Sequence, residues 1–126
     1  MQRSSMIALI VSAAGLGGAQ QVPALTVEES LQCAGLFSIY AVMPENQFPG
    51  MVQTNLRLAR SFLQRAKVLA ERRGEDTDDH LERATAFSTA LAVSYEAAAD
   101  QDGRRALVTT WGPLTDRCEA GADQPL

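Results

Sequence analysis

Residues 26–44, TVEESLQCAGLFSIYAVMP, decide the fold, because they predict one helix that is apolar on almost every side. Thr26 and Glu29 have the spacing of a capping box, in which the threonine hydroxyl and the glutamate carboxylate accept from each other's backbone amides. We expect the helix to cover residues 27–43 and to stop before Pro44, whose ring disfavours helix at the preceding residue. A helix without a polar face is central and buried, or it also contacts a partner.

Two further segments show apolar residues at helical spacing. The first covers residues 51–73, and Gly74 is placed to end it as a C-terminal cap. The second follows the acidic stretch at residues 75–79 and continues to about residue 99. Its apolar positions alternate at spacings of three and four residues, which predicts a seam packed against neighbouring helices.

A fourth segment, residues 104–119, is interrupted by Gly112-Pro113. Proline removes an amide donor and clashes with the preceding turn, so we expect a kink there or a split into two short helices. From about residue 120 the chain is expected to fray. Four helices with short connections predict an all-α fold, a small antiparallel four-helix bundle.

The N-terminus has the layout of a secretory signal peptide. Arg3 precedes an apolar run at residues 6–16, and Gly17 and Ala19 offer small side chains for cleavage. The apolar run is too short to span a bilayer comfortably, so we rank an uncleaved anchor lower. The sequence therefore predicts export to the bacterial periplasm or beyond, with residues 1–19 removed and one helical domain over residues 20–126.

The charge balance argues against two classes of partner. The chain has 11 basic and 15 acidic side chains, and of these only Arg3 lies in the predicted signal peptide, so the mature chain carries a net charge of −5. Nucleic acids and anionic membrane surfaces both require a basic surface. We expect neither to be the main partner.

Cys33 and Cys118 are the two cysteines, one in the first helical segment and one in the last. In an exported chain such a pair predicts a disulfide, and the first and fourth helices of an up-down bundle are neighbours. Closing the 84 intervening positions stabilises the fold by at most about 4–4.5 kcal/mol on the chain-entropy model. A lipid anchor, a Cys-x-x-Cys redox centre, a zinc site and covalent haem attachment all lack their accompanying residues.

His80, the single histidine, lies close to Asp76 and Asp79 and is the one candidate for a metal site. We favour a solvated helix N-terminus instead, because acidic residues are favoured there and no EF-hand pattern is present.

Two helical positions of the second segment, Arg57 and Arg60, form a polar stripe with Gln64 and Lys67. The stripe could bind an anionic ligand or an acidic partner. A solvated outer face is the interpretation we favour.

No catalytic arrangement is visible, and nothing predicts a bound cofactor. We expect a non-enzymatic exported protein with a structural or protein-interaction role, whose partner is another protein or a second copy. The candidate interaction surface comprises apolar residues of the first helix and the tryptophan: Leu36, Phe37, Ile39, Tyr40, Met43 and Trp111.

Two alternatives remain open beside this expectation. One is a carrier that holds a small ligand or cofactor in the bundle core. The other is a periplasmic stress chaperone, since the chain resembles acid-stress chaperones in compartment, size and a single bridge, without a shared motif. An enzyme is the third and weakest option.

Overall fold

The computed structural model describes residues 22–126, and the predicted signal peptide at residues 1–19 lies outside them. The described part is all-helical, as predicted, and contains no β-strand. A short 3-10 turn at Pro44–Asn46 follows the first helix. The five α-helices, in chain order, are α1 Val27–Val42, α2 Pro49–Arg72, α3 His80–Ala97, α4 Gln101–Thr109 and α5 Gly112–Ala122. Over residues 22–126, none of them combines the length and hydropathy that crossing a membrane requires.

The capping box at the start of α1 is confirmed. The Thr26 hydroxyl accepts from the Glu29 amide at 3.0 Å, and the Thr26 amide donates to Glu29 Oε1 at 3.0 Å. The helix ends at Val42, one residue earlier than predicted, because Met43 adopts an extended backbone before Pro44.

Helix α1 is the centre of the fold and packs against α2, α3 and α5. Its Phe37 stacks on Phe62 of α2 with the ring centroids 5.6 Å apart. The inner side of α2 is mostly small, which lets α1 approach it closely; its buried residues are Asn55, Ala59, Phe62, Ala66 and Ala70. Burial of α1 on several sides explains why its sequence has no polar face.

Helices α1 and α3 approach each other closely at Gly35. A Cβ atom placed on Gly35 would lie 2.6 Å from the carbonyl oxygen of Ala84 and 3.1 Å from the amide nitrogen of Ser88. Cβ atoms essentially never approach another heavy atom to within 3.0 Å, so any side chain at this position would push the two helices apart. Glycine is therefore required at this position for packing.

The disulfide between Cys33 and Cys118 is present and joins α1 to α5. The two Cα atoms lie 5.7 Å apart, and both side chains are fully buried. The described residues contain no free cysteine. The predicted pairing is therefore confirmed.

The described residues form five α-helices, because the fourth predicted segment is split into two helices and not merely kinked. The split occurs where it was expected: α4 ends at Thr109, and Pro113 lies in the first turn of α5, where its missing amide costs nothing. Helix α4 also begins earlier than predicted, since Asp100 caps it by accepting from the Gly103 amide at 2.8 Å.

The predicted fraying from residue 120 is wrong for the first residues of the tail. Helix α5 continues to Ala122, and Gly121 is buried against Leu25. The guanidinium of Arg65 in α2 donates to the carbonyl oxygens of Ala122 at 3.1 Å and Gln124 at 2.7 Å. These bonds satisfy carbonyl groups that a helix end otherwise leaves unpaired.

Candidate functional site

The apolar residues predicted to form an interaction surface lie in the core instead. All but Tyr40 are buried, with exposed fractions of 0 to 6%, because α2, α3 and α5 cover α1; they are Leu36, Phe37, Ile39, Met43 and Trp111. Tyr40 is partly buried, and its hydroxyl shares a hydrogen bond of 2.7 Å with the Thr115 hydroxyl of α5. These side chains stabilise the fold and do not form an exposed surface.

The structure does not gather His80, Asp76 and Asp79 into a metal site. Asp76 Oδ1 accepts from the Asp78 amide at 3.0 Å, and Asp79 faces Arg83 at 3.8 Å. Over residues 22–126 no group of three or more His, Cys, Asp and Glu side chains could hold a metal ion. The acidic residues of this helix N-terminus, Asp76, Asp78 and Asp79, are exposed, whereas His80 itself is only 5% exposed.

Helix α3 carries the most unusual surface of the described residues. Only His80 and Ala84 of this helix are buried, and residues 84–95 contain no charged side chain. Leu81 and Val93 are 66% and 63% exposed. The exposed residues of this side, called the α3 face below, are Leu81, Thr85, Ala86, Thr89, Ala90 and Val93.

Charged residues on the exposed side of α3 occur only at its two ends. Glu82 and Arg83 precede the uncharged stretch and Glu96 follows it, and all three are exposed. Arg83 pairs with Glu28 and Asp79, so the charge without an ion-pair partner among the described residues is a glutamate at each end. At a rise of 1.5 Å per residue the two carboxylates lie roughly 20 Å apart along the helix. The α3 face is thus an uncharged strip with an acidic group at each end.

A groove beside the α3 face continues its apolar character towards α1. The groove has a volume of about 350 Å³, and its lining includes Ile39, Val42, Leu63 and Leu81. Val42 is 67% exposed at this groove, whereas most of α1 is buried. Small side chains of α3, including Ala84, Ser88 and Ala92, leave the groove open. The face and the groove together form one contiguous, largely apolar surface.

Two clusters of polar groups away from the α3 face are engaged in structural contacts. Arg117 of α5 donates to the Glu29 carboxylate at 2.9 Å and to the carbonyl oxygens of Pro23 at 2.8 Å and Ala24 at 3.1 Å. Because Arg117 donates to it, the Glu29 carboxyl has a pKa below its ordinary value. These bonds tie the segment before α1 to α5.

A second polar contact joins α3 to the turn after α1. The Tyr95 hydroxyl donates to the Glu45 carboxylate at 2.7 Å, which lowers the pKa of Glu45 and raises the pKa of Tyr95. The Arg104 guanidinium lies 5.7 Å from the centroid of the Tyr95 ring. This cluster closes one end of α3 and leaves the middle of the α3 face uncovered.

Comparison with protein-family models, with curated proteins and with solved structures finds no match for this chain. The candidate site was also missed by the sequence reasoning, which assigned α3 a single inner seam. The signal that could have found it is the absence of charge at the outer positions of residues 84–95, where a solvated helix normally carries Lys, Glu or Arg.

Proposed function

We propose that this chain is an exported, non-enzymatic helical protein that binds another protein through the α3 face and the adjoining groove. The single observation that carries the proposal is an exposed helix face without charge over residues 84–95. Depletion of charged residues is the compositional sign of the core of a protein interface. A solvated helix in a chain with 21% charged residues would be expected to carry several there.

The charges at the ends of the α3 face favour a different protein, and not a second copy of this chain, as the binding partner. In a parallel pair of α3 helices each glutamate would face its own equivalent, and in an antiparallel pair Glu82 would face Glu96. Both arrangements place like charges together, which disfavours the pairing. The partner that fits is an apolar segment of about three turns, flanked by basic residues.

The proposal includes the bundle arrangement and the compartment. In it, α4 and α5 together take the place of the fourth helix of an antiparallel bundle and leave the outer side of α3 free. Residues 1–19 direct export to the periplasm or beyond and are cleaved after Ala19. An intact mass of periplasmic protein that still includes Met1 would contradict the cleavage.

Substitution of Ala90→Arg tests the interaction surface. Ala90 is exposed in the middle of the α3 face, and arginine is a good helix former, so the variant should fold. The matched control is Ala106→Arg, an exposed alanine of the charged helix α4. Mature, oxidised wild-type protein is used to capture its partner from periplasmic extract, and the same partner is then measured with both variants.

We expect a one-to-one complex that Ala90→Arg weakens at least tenfold and Ala106→Arg leaves unchanged. Equal loss in both variants, or no loss in either, would contradict the assignment of the α3 face. Light scattering could instead show a concentration-dependent dimer of this chain that Ala90→Arg disrupts and Ala106→Arg does not. That result would identify the partner as a second copy of the chain and not a different protein.

A periplasmic stress chaperone is the second candidate. It is favoured by apolar side chains exposed outside the α3 face, since Phe48 and Met51 at the start of α2 are 65% and 45% exposed. Several separate apolar positions suit weak binding to unfolded chains. Suppression of the aggregation of a denatured test protein, reduced equally by Phe48→Ser and Ala90→Arg, would favour this role over a single specific partner.

A further inference from the structure

A second cavity lies between α2 and the start of α3, and it has a different chemistry from the groove. Its volume is about 380 Å³, within the range of small-ligand sites. Its polar lining residues are Arg60, Gln64, Lys67, Thr77 and His80. Two of these are cations, and no carboxylate lines the cavity.

The cationic side of the cavity is formed by one face of α2. Arg60, Gln64 and Lys67 follow at spacings of four and three residues, so they project from the same side of the helix. Neither Arg60 nor Lys67 forms an ion pair with another side chain of residues 22–126. Both charges are therefore available to a bound anion.

The opposite wall contains an unpartnered polar side chain. His80 lines the cavity and is 5% exposed, and within the described residues its Nδ1 atom has no hydrogen-bond partner. A buried polar atom without a partner is costly and rare in folded proteins, and a bound ligand or water normally satisfies it. The Nδ1 atom is enclosed by protein, so His80 contributes its ring to the cavity wall and not a hydrogen bond from Nδ1 to a ligand in the cavity.

The start of α3 adds backbone donors to the same wall. No side chain caps this helix, whereas Thr26 caps α1 and Asp100 caps α4. The His80 amide donates to the Thr77 carbonyl oxygen at 3.2 Å, but no side chain accepts from the amides that follow, and the helix dipole favours negative charge there.

The acidic residues near the start of α3 do not close the cavity. Asp76 accepts from the Asp78 amide, and Asp79 faces Arg83, which also pairs with Glu28. None of these carboxylates is part of the cavity lining. Their negative charge lies outside the cavity and leaves its interior cationic.

We propose that this cavity, called the α2–α3 cavity below, binds a small organic anion whose carboxylate lies between Arg60 and Lys67, beside the ring of His80. The remaining lining residues, Leu63 and Leu81, indicate that the ligand also has a short apolar body. This site shares Leu63 and Leu81 with the edge of the groove but lies away from the middle of the α3 face, and its test does not require the proposed protein partner. It also differs from a ligand held in the bundle core, because α2 presents it on its outer side.

The single histidine of the chain provides a direct probe of the α2–α3 cavity. Its ring signals in an NMR spectrum are followed while hexanoate is added to the mature, oxidised protein at constant pH and ionic strength. We expect a saturable shift with hexanoate. Acetate, which has the same carboxylate without the apolar body, should bind at least about tenfold more weakly, since each buried methylene group strengthens association.

Three variants of α2 test the assignment of the cations. Arg60→Gln and Lys67→Gln should each weaken hexanoate binding about tenfold or more, because each removes a charge-assisted hydrogen bond. The matched control is Arg57→Gln, an exposed arginine of the same helix that does not line the cavity. All three residues are exposed, and melting temperatures equal to that of the wild type show that the variants fold.

The proposal is overturned by any of three outcomes. One is a shift that sodium chloride reproduces at the same concentration, which would indicate general screening. Another is an effect of Arg57→Gln as large as that of Lys67→Gln. The third is binding of inorganic phosphate as tight as that of hexanoate, which would contradict the apolar body of the ligand.

Discussion

Substitution of Gly35→Ala tests the packing of α1 on α3, the contact that orients the α3 face. The added Cβ atom would lie 2.6 Å from the Ala84 carbonyl oxygen, and 3.1 Å from both Phe87 Cδ2 and the Ser88 amide nitrogen. Two of these three atoms belong to the backbone of α3 and cannot rotate away. The helices must therefore separate by several tenths of an ångström along this contact.

The magnitude follows from two opposing effects. Alanine in place of glycine within a helix stabilises that helix by about 1 kcal/mol, because it restricts the unfolded chain. Overpacking of a core contact costs about 1–3 kcal/mol, and a backbone clash belongs in the upper half of that range. We expect the free energy of unfolding to fall by about 1–2 kcal/mol, which corresponds to about 5–10 °C in melting temperature for a domain of this size.

The assay is urea unfolding of the oxidised protein, followed by circular dichroism at 222 nm and by the fluorescence of the single tryptophan. Gly50→Ala is the matched control, because Gly50 also lies in a helix but a Cβ atom there meets nothing within 4 Å. The control should be as stable as the wild type or up to about 1 kcal/mol more stable. If Gly35→Ala were as stable as Gly50→Ala, the close approach of α1 and α3 would be refuted.

Three further predictions concern cross-links and charges. Replacing Cys33 and Cys118 together by alanine should lower the free energy of unfolding by up to about 4.5 kcal/mol, measured by urea titration; a loss within error of zero would contradict the chain-entropy estimate. Arg117 lowers the pKa of Glu29, so this stabilisation is present above the pKa of the unfolded carboxyl and is lost as the pH falls through the folded pKa. Glu29→Gln should therefore flatten the acid side of the stability–pH curve, and a slope equal to that of the wild type would count against the ion pair. The pKa of Tyr95 is raised, so its effect on stability has the opposite pH dependence. The stabilisation from its hydrogen bond to Glu45 is present below the ordinary pKa of 10.0 and is lost as the pH rises through the higher pKa of the folded state. Ultraviolet titration should show one of the two tyrosines ionising late, and Tyr95→Phe should remove that late step.

Local patterns predicted the parts of the fold that depend on neighbouring residues. The capping box at Thr26 and the stop before Pro44 are properties of a few adjacent positions, and both are confirmed within one residue. The pairing of Cys33 with Cys118 followed from their number and from the expected adjacency of the first and last segments. The helix start at Asp100 is also a local capping signal, but the sequence analysis left residues 100–103 between the third and fourth segments.

Features that depend on distant parts of the chain could not be predicted in the same way. Three of the four residues before His80 are acidic, which suggested a solvated helix N-terminus. It lines a cavity together with Leu63 and Lys67 of α2, which lie more than ten residues earlier in the chain, so its surroundings are not set by its neighbours in sequence. The requirement for glycine at position 35 likewise comes from the backbone of α3, to which no local pattern points.

The sequence analysis placed the candidate interaction surface on α1, whereas the structure places exposed apolar residues on α3, and the difference has a physical reason. Sequence patterns show which sides of a helix are apolar, but not how many of those sides the rest of the chain covers. Helix α1 is apolar all round and is covered by three helices and pinned by a disulfide, so its apolar residues are used within the chain. Helix α3 is less apolar, yet only its inner edge contacts α1. A strongly apolar helix is explained when the rest of the chain covers it. An uncharged helix face that stays exposed has no such explanation within the fold, so it is the better evidence for a partner.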